Sequence, residues 1–352
     1  MKILLVTNKF FVEDGGSYTA ISELCYALNN KKGIFAKIVH NNNSFLNPIT
    51  CRIIISNFDI IHIFGIWSPF SNMIIYLARK MKKVIIVSPI GYLEKWSLQQ
   101  SKIKKLIAWH LYQKKLLENC DYIHVTSEQE LESLKKNNLK NVKLIFIPHG
   151  KINKIYSDIE VLEKNKKNRT VLFFSRIHKK KGLLELIEAW NFLKPHDWQL
   201  DITGPVTDMN YKKKLQRKIS QYNLNQKIFF SNPIFDEYSK KLKLYKADLV
   251  ILPSRNENFA FSICEAMLAS RVVLCSSETP WDRINAIGAG YCLPLNTKDE
   301  IILALKRILK LKNNELSIIG NKAKNFALSN YDLDNVVIDK YIKFYKSLIM
   351  QL

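Results

Sequence analysis

Short apolar runs of four to seven residues recur along this chain, with stretches of helical spacing between most of them. In the first part the runs are Lys2–Thr7, Phe35–Val39, Asp59–Phe64, Val84–Ser88, Tyr122–Thr126 and Val142–Ile147. Tyr18–Leu28, Asn72–Met81, Lys102–Glu118 and Glu128–Asn137 have helical periodicity, with Ser17 placed to cap the first. Such alternation predicts a doubly wound parallel sheet covered on both faces. Pro148-His149-Gly150 closes the series, and the polar, Lys/Asn-rich stretch 151–169 reads as a linker. The pattern then restarts, with strands expected at Thr170–Ser175, Gln199–Thr203, Lys227–Ser231, Leu249–Leu252 and Val272–Cys275. The expectation is an α/β chain of two Rossmann-like domains, 1–150 and 170–331, facing a shared cleft. A last helix in 332–352 follows once the second domain is complete and is free to cross back to the first. A length of 352 residues agrees, because single cores stop growing near ~250–300 residues.

Composition excludes little. No apolar run reaches the ~18 residues of a membrane span, and Met1-Lys-Ile-Leu-Leu-Val-Thr reads as a strand rather than a signal peptide. Six cysteines without C-x-x-C spacing read as reduced core thiols of a cytoplasmic protein. The formal net charge of +23 is spread over both halves rather than held in a tail. That excess suits a nucleic acid, an anionic membrane or an anionic substrate, and AT-biased coding would also produce it. Without a recognisable nucleic-acid module, nucleic acid is not expected as a partner.

Chemistry-bearing residues gather after particular strands. Glu13-Asp14-Gly15-Gly16-Ser17 follows the first one, so Gly16 opens a strand–glycine–helix turn, either a ligand cradle or an empty turn. It is not G-x-G-x-x-G, which disfavours a nicotinamide site. Ser175-Arg176-Ile-His178-Lys179-Lys180-Lys181-Gly182 sets cations beside a helix start, against the helix dipole, as an anion site would. A solvated lysine run is the plain alternative. Asp248-Leu-Val-Ile-Leu-Pro253-Ser254 precedes Arg255-Asn-Glu257-Asn258-Phe259-Ala260, then a helix carrying Glu265. Its two carboxylates flank a strand-to-helix turn, at the edge where open sheets bind ligands. Ser262-Ile-Cys-Glu265 also fits a capping box, in which Glu265 only closes the helix start.

Arg176…Lys181-Gly182, followed by Glu257-x7-Glu265-Ala266, resembles the retaining two-domain GT-B glycosyltransferases of family four. The resemblance spans most of the chain, taking in Gly15-Gly16, Asp59-Ile-Ile-His62, Trp67-Ser-Pro69, Ser88-Pro89…Gly91, Ile147-Pro-His-Gly150 and Thr279-Pro-Trp281. It implies a hexosyltransferase of the kind that builds bacterial lipopolysaccharide, capsule or exopolysaccharide. The donor would be a nucleotide-sugar and the acceptor a growing or lipid-linked glycan. Residue by residue it implies Glu257 at the donor sugar and Glu265 at the ribose. Asn258 and Phe259 would offer backbone N–H groups, and Arg176 and Lys181 a diphosphate clamp. Gly16 would approach the same phosphates from the other domain. No cofactor or metal is implied, and Asp332-Leu-Asp334 is expected to cap a helix. Two departures stand out: Ala260 where Gly is common, and Ile90 where related enzymes often carry His or Arg. His62 and His149 are candidates for catalysis or for structural burial.

A sugar-nucleotide epimerase on the same fold and a non-catalytic sugar-nucleotide binder are the alternatives. Only an epimerase would turn over without acceptor. Between Trp96 and Cys120, aromatic and aliphatic residues interleave with Lys102, Lys104, Lys105, Lys114 and Lys115. This suits either a peripheral contact with the inner face of an anionic membrane or an ordinary packed helix.

Overall fold

The computed structural model describes residues 1–41, 47–136, 139, 142–153 and 169–350. Of the stretch expected as a linker, 154–168 lies outside the described residues. The chain divides into two compact units, Met1–Lys151 with Asp332–Leu352, and Ile152–Tyr331.

The first unit holds a six-stranded parallel sheet. Its strands are β1 (Lys2–Thr7), β2 (Phe35–His40), β3 (Ile60–Phe64), β4 (Val84–Ser88), β5 (Tyr122–Val125) and β6 (Lys143–Phe146), in the order β2-β1-β3-β4-β5-β6. The second repeats the plan with β7 (Arg169–Phe174), β8 (Trp198–Thr203), β9 (Ile228–Ser231), β10 (Leu249–Leu252), β11 (Val272–Ser276) and β12 (Tyr291–Leu293), ordered β12-β11-β10-β7-β8-β9. β3, β4, β10 and β11 are buried throughout, which accounts for their unbroken apolar runs. In each sheet the winding direction reverses once, between β1 and β3 and between β7 and β10. The crevice at such a reversal, beyond the carboxyl ends of the strands, is where open α/β sheets bind ligands.

Departures from the sequence expectation include the following elements. Helix Gly16–Asn29 begins at Gly16 with Gly15 at φ 64° before it, and no side chain caps it, so Ser17 lies inside the first turn. A helix at Pro48–Ser56 and the edge strand β12 were not expected. β12 has only three residues, too few for a periodic signal.

The final segment belongs to the first unit. Asp332 caps its start, accepting from the N–H groups of Asp334 and Asn335 at 3.1 and 3.3 Å. Leu333 donates its N–H to the carbonyl of Lys151, whose buried ammonium pairs with Glu23. Beyond this, helix Ile338–Ile349 inserts Tyr341 and Tyr345 against two buried histidines, His124 and His62. The His124 Nε2–H donates to the Ile147 carbonyl at 2.8 Å, which leaves Nδ1 to accept from Ser88 Oγ at 2.6 Å. Ser88 must then accept from His62 Nε2 at 2.7 Å, so His62 Nδ1 accepts from the Tyr345 hydroxyl at 2.7 Å. The chain of bonds runs one way and both imidazoles in it are neutral. His62 is thus a structural group with both ring nitrogens engaged.

Burial lowers the pKa of both histidines, and of the buried His149 as well, to about 4 for His124 and about 3 for His149, and well below the ordinary value for His62. In the unfolded chain they titrate near ~6.5. Below that pH the unfolded chain takes up protons that the folded one refuses, so stability falls as pH falls. Each imidazole contributes up to ~1.4 kcal/mol per pH unit over the window between its two pKa values. Urea midpoints should therefore drop steeply from pH 7 to pH 5. Tyr345→Phe, which strands the His62 acceptor, should cost a further ~1–2 kcal/mol at pH 7. A flat profile would show that the histidines are not buried neutral.

Candidate functional site

At the reversal in the second unit the loops after β7 and β10 pack on one another. The loop after β7 carries Arg176, exposed, then a short 3-10 turn of Lys179–Lys181 and Gly182. Gly182 sits at φ 70°, and a Cβ there would lie 2.1 Å from the Pro253 carbonyl oxygen. Only glycine lets the turn rest directly on the end of β10. Arg255 N–H donates to the Lys180 carbonyl at 2.9 Å, and Lys180 Nζ donates to Asn256 Oδ1 at 3.0 Å. Arg255 also pairs with Glu185 at 2.6 Å.

Beneath these contacts, the buried ammonium of Lys181 forms an ion pair with the largely buried carboxylate of Glu257. Burial alone would raise the Glu257 pKa, but the Lys181 and Lys180 charges and hydrogen bonding together outweigh it and hold the group below its ordinary value. The lysine run is therefore not a solvated surface stretch. Lys181 is buried, Lys180 is bonded, and Lys179 is exposed.

The loop carrying Glu257 is held at two further points. Glu257 N–H donates to the Glu278 carbonyl at 3.0 Å, and the Trp281 indole N–H to the Phe259 carbonyl at 2.6 Å. The Phe259 ring packs against Phe261, Trp281 and Tyr331, with centroids 4.8 to 5.7 Å apart. Helix Phe261–Leu268 then starts behind Ala260, with no side-chain cap. Ser262 is inside that helix and Glu265 is buried on its second turn, so the capping-box reading fails. Asn258 lies half-buried between Glu257 and Phe259. Ala260 stands at φ 63°, a left-handed conformation that costs a residue with a Cβ ~1–2 kcal/mol.

Gly16 lies in the first unit, at the helix start after β1, on the carboxyl edge of that sheet. On the same edge, Ile90 follows β4 at φ 47°, an unusual conformation for a β-branched residue. Glu130, which sequence reasoning did not single out, holds this turn. One carboxylate oxygen accepts from the Gly91 N–H at 2.7 Å, and the other from the Thr126 N–H and hydroxyl at 2.9 and 3.1 Å. Burial raises its pKa, and those bonds oppose the rise. The available signal, Ser127-x-x-Glu130, has capping-box spacing and hid the second role. A groove of about 840 Å³ lined by Arg79, Lys83, Asp121 and Lys143 opens instead at the amino ends of β4, β5 and β6 and contains no motif residue.

Residues 154–326, just under half of the chain, match the family described as glycosyl transferases group 1. An uncharacterized glycosyltransferase of Methanocaldococcus jannaschii is 25% identical over 243 residues, 67% of this chain and 61% of its own. The GDP-mannose:cellobiosyl-diphosphopolyprenol alpha-mannosyltransferase of Xanthomonas campestris is 29% identical over 180 residues, 49% of this chain and 46% of its own. The chain thus spans about half to three fifths of the length of these curated relatives. Sucrose-phosphate synthase from Thermosynechococcus elongatus superposes with a TM-score of 0.80 at 16% identity, covering 100% of both chains. Anabaena HepE, solved in complex with UDP-glucose, gives 0.76 at 15% identity over 99% of both. The fold is GT-B, built from two Rossmann-like units.

Gly182→Ala should cost at least ~3 kcal/mol, since overpacking against backbone combines with left-handed strain. Ala260→Gly should change stability by less than ~1 kcal/mol, because relieved strain offsets the added freedom of the unfolded chain. Thermal melts of both variants check the pair. Equal losses would contradict the tight approach at Gly182.

Proposed function

We propose that this chain is a retaining glycosyltransferase that moves a hexose from a nucleotide-sugar to a growing or lipid-linked surface glycan, at the inner face of a bacterial membrane. The observation that carries the reading is the Lys181–Glu257 ion pair, which brings residues 76 apart in sequence to the reversal point of the second sheet. A cation there can take a diphosphate, and a carboxylate can accept hydrogen bonds from sugar hydroxyls. The group 1 match over 154–326 supports the same assignment.

In this reading the bond between the anomeric carbon and the diphosphate oxygen breaks while the acceptor oxygen bonds to the same face. The acceptor's proton passes to the departing phosphate. Lys181 and exposed Arg176 stabilise the charge that develops on the leaving group. Glu265 receives a ribose hydroxyl, and the backbone at Asn258 and Phe259 faces the phosphates and sugar. Ile90 offers no proton and no charge, so the leaving group depends wholly on the cations and on the proton it receives. No metal is required, and activity should survive EDTA.

Glu257→Gln separates the roles. Removing the carboxylate charge leaves Lys181 buried and uncompensated, which should lower the stability of the ligand-free protein by ~3 kcal/mol. Transfer should be lost. Binding of the bare nucleoside diphosphate should persist or tighten, because Lys181 is released from Glu257. Thermal shift with UDP and with GDP reads this directly, since a ligand raises the melting temperature by mass action. If neither nucleotide shifts either protein, the site assignment is wrong. Turnover of sugar nucleotide without any acceptor would indicate an epimerase instead.

A further inference from the structure

The crossover from β4 to β5 carries two apolar faces. One packs inward, with Gln113 and Leu117 fully buried and Trp109 and Leu116 against the core of the first unit. The other faces solvent: Ile103 and Leu111 are each 74% exposed, Leu106 and Ile107 each 54%. A soluble surface seldom leaves four large aliphatic residues uncovered on one helical segment.

Topology locates this face. The crossover leaves the sheet at the carboxyl end of β4, through the Ile90-Gly91 turn, and returns to the amino end of β5. Its exposed aliphatic residues all precede Gln113, with Ile103 the nearest in sequence to the turn at the carboxyl end of β4. Tyr92, after β4, and Phe11 and Val12, after β1, are also exposed on loops at that edge.

The charge is equally one-sided. From Lys95 to Leu117 the chain has six lysines and no acid. Among the described side chains, Lys102, Lys104 and Lys115 are exposed. Lys105 is different. Its ammonium donates to the Ser97 carbonyl at 2.6 Å, and burial lowers its pKa, so it fastens the crossover to the preceding turn. Exposed aliphatic residues among lysines with no acid match an anionic lipid surface, where the apolar side chains enter the acyl boundary and the ammonium groups meet headgroups. A second copy of this chain would bring lysine rows face to face. A partner protein would need an acidic rim.

We infer that residues 102–115 of the β4–β5 crossover dock the first unit on an anionic lipid bilayer through Ile103, Ile107 and Leu111, with Lys102, Lys104 and Lys115 gripping the headgroups. The inference rests on the proposed transfer to a lipid-linked glycan, because docking at this edge presents the Ile90-Gly91 turn to an acceptor held in the membrane.

Sedimentation with phosphatidylglycerol/phosphatidylcholine vesicles, against pure phosphatidylcholine, tests it. The wild-type chain should bind the anionic vesicles only, and salt should release it. Substituting Lys102, Lys104 and Lys115 with Gln should weaken binding about a hundredfold, at roughly fivefold per lysine. Ile103→Ser with Ile107→Ser should weaken binding to the anionic vesicles at low salt and, being on the surface, leave the melting temperature unchanged. The thermal shift given by UDP or GDP in the second unit should survive in every variant, so loss of docking and loss of the donor site are read separately. Lys213, Lys214 and Arg217 replaced by Gln serve as control. Equal loss in the control would assign the attraction to the overall charge and overturn the inference. So would wild-type indifference to anionic vesicles, or a dimer that the Ile103/Ile107 substitutions disperse.

Discussion

Everything proposed for the second unit depends on the seating of one loop upon another. The turn Lys179–Lys181 can reach the end of β10 only because Gly182 has no side chain to meet the Pro253 carbonyl. Once seated, it delivers Lys181 to Glu257 out of solvent, where a cation without a partner would cost several kcal/mol, roughly. The pair stabilises the approach and, in the proposed reading, also stores a charge arrangement that an incoming diphosphate would exchange. Glu257 in turn is fixed from behind, by its N–H on Glu278 and by the Trp281 indole on Phe259. A carboxylate held by backbone at both sides would keep its direction in the proposed reading, where its cationic partner turns to a phosphate. Such fixed polar groups are what stabilises developing charge without reorganisation.

The first unit solves a different problem with neutral groups. Its last helix has to stay attached although more than 150 residues of the other unit intervene between Lys151 and Asp332. Two attachments accomplish this. At the junction, the Leu333 N–H meets the Lys151 carbonyl, and Lys31 donates to the Asp334 carbonyl at 3.3 Å. Deeper in, Tyr345 enters a one-way series of hydrogen bonds through His62, Ser88 and His124. Each donor in that series is used once, so adding a proton to either imidazole leaves two donors opposed. The arrangement is sound at neutral pH and penalised in acid.

The parts legible in the sequence were those set by period. Apolar runs gave β1, β4 and β10 to the residue, and the restart of the pattern gave two sheets. Motif spacing brought out Lys181 and Glu257, which prove to be partners. Parts fixed by long-range contacts were not legible. Whether Glu265 belongs to a cap depends on where its helix begins, and the left-handed Ala260 starts it two residues earlier than the capping box needs. The role of Trp281 requires knowing that its indole lies under Phe259, 22 positions away. The lysine-rich crossover read equally well as packed or exposed because it is both, on opposite sides. A single stripe of hydrophobicity can be assigned from spacing, whereas two stripes on one helix cannot be separated without the core they face.

Ile90 and Ala260 make a last comparison. Each occupies a left-handed position at the carboxyl edge of its sheet, and each replaces a residue type that the family resemblance would favour. Their supports differ. Ala260 is flanked by the packed rings of Phe259 and Phe261, a rigid apolar clamp. Ile90 precedes Gly91, whose N–H is held by the buried Glu130 carboxylate, which also grips Thr126 at the end of β5. Strain persists at a position only when its surroundings over-determine it. Here a buried carboxylate with three hydrogen bonds does so, and it ties the turn after β4 to the turn after β5. A side chain that supplies neither proton nor charge is thus kept in a costly conformation at the carboxyl edge of the sheet. The shape of that turn, rather than the chemistry of residue 90, is then what the fold maintains.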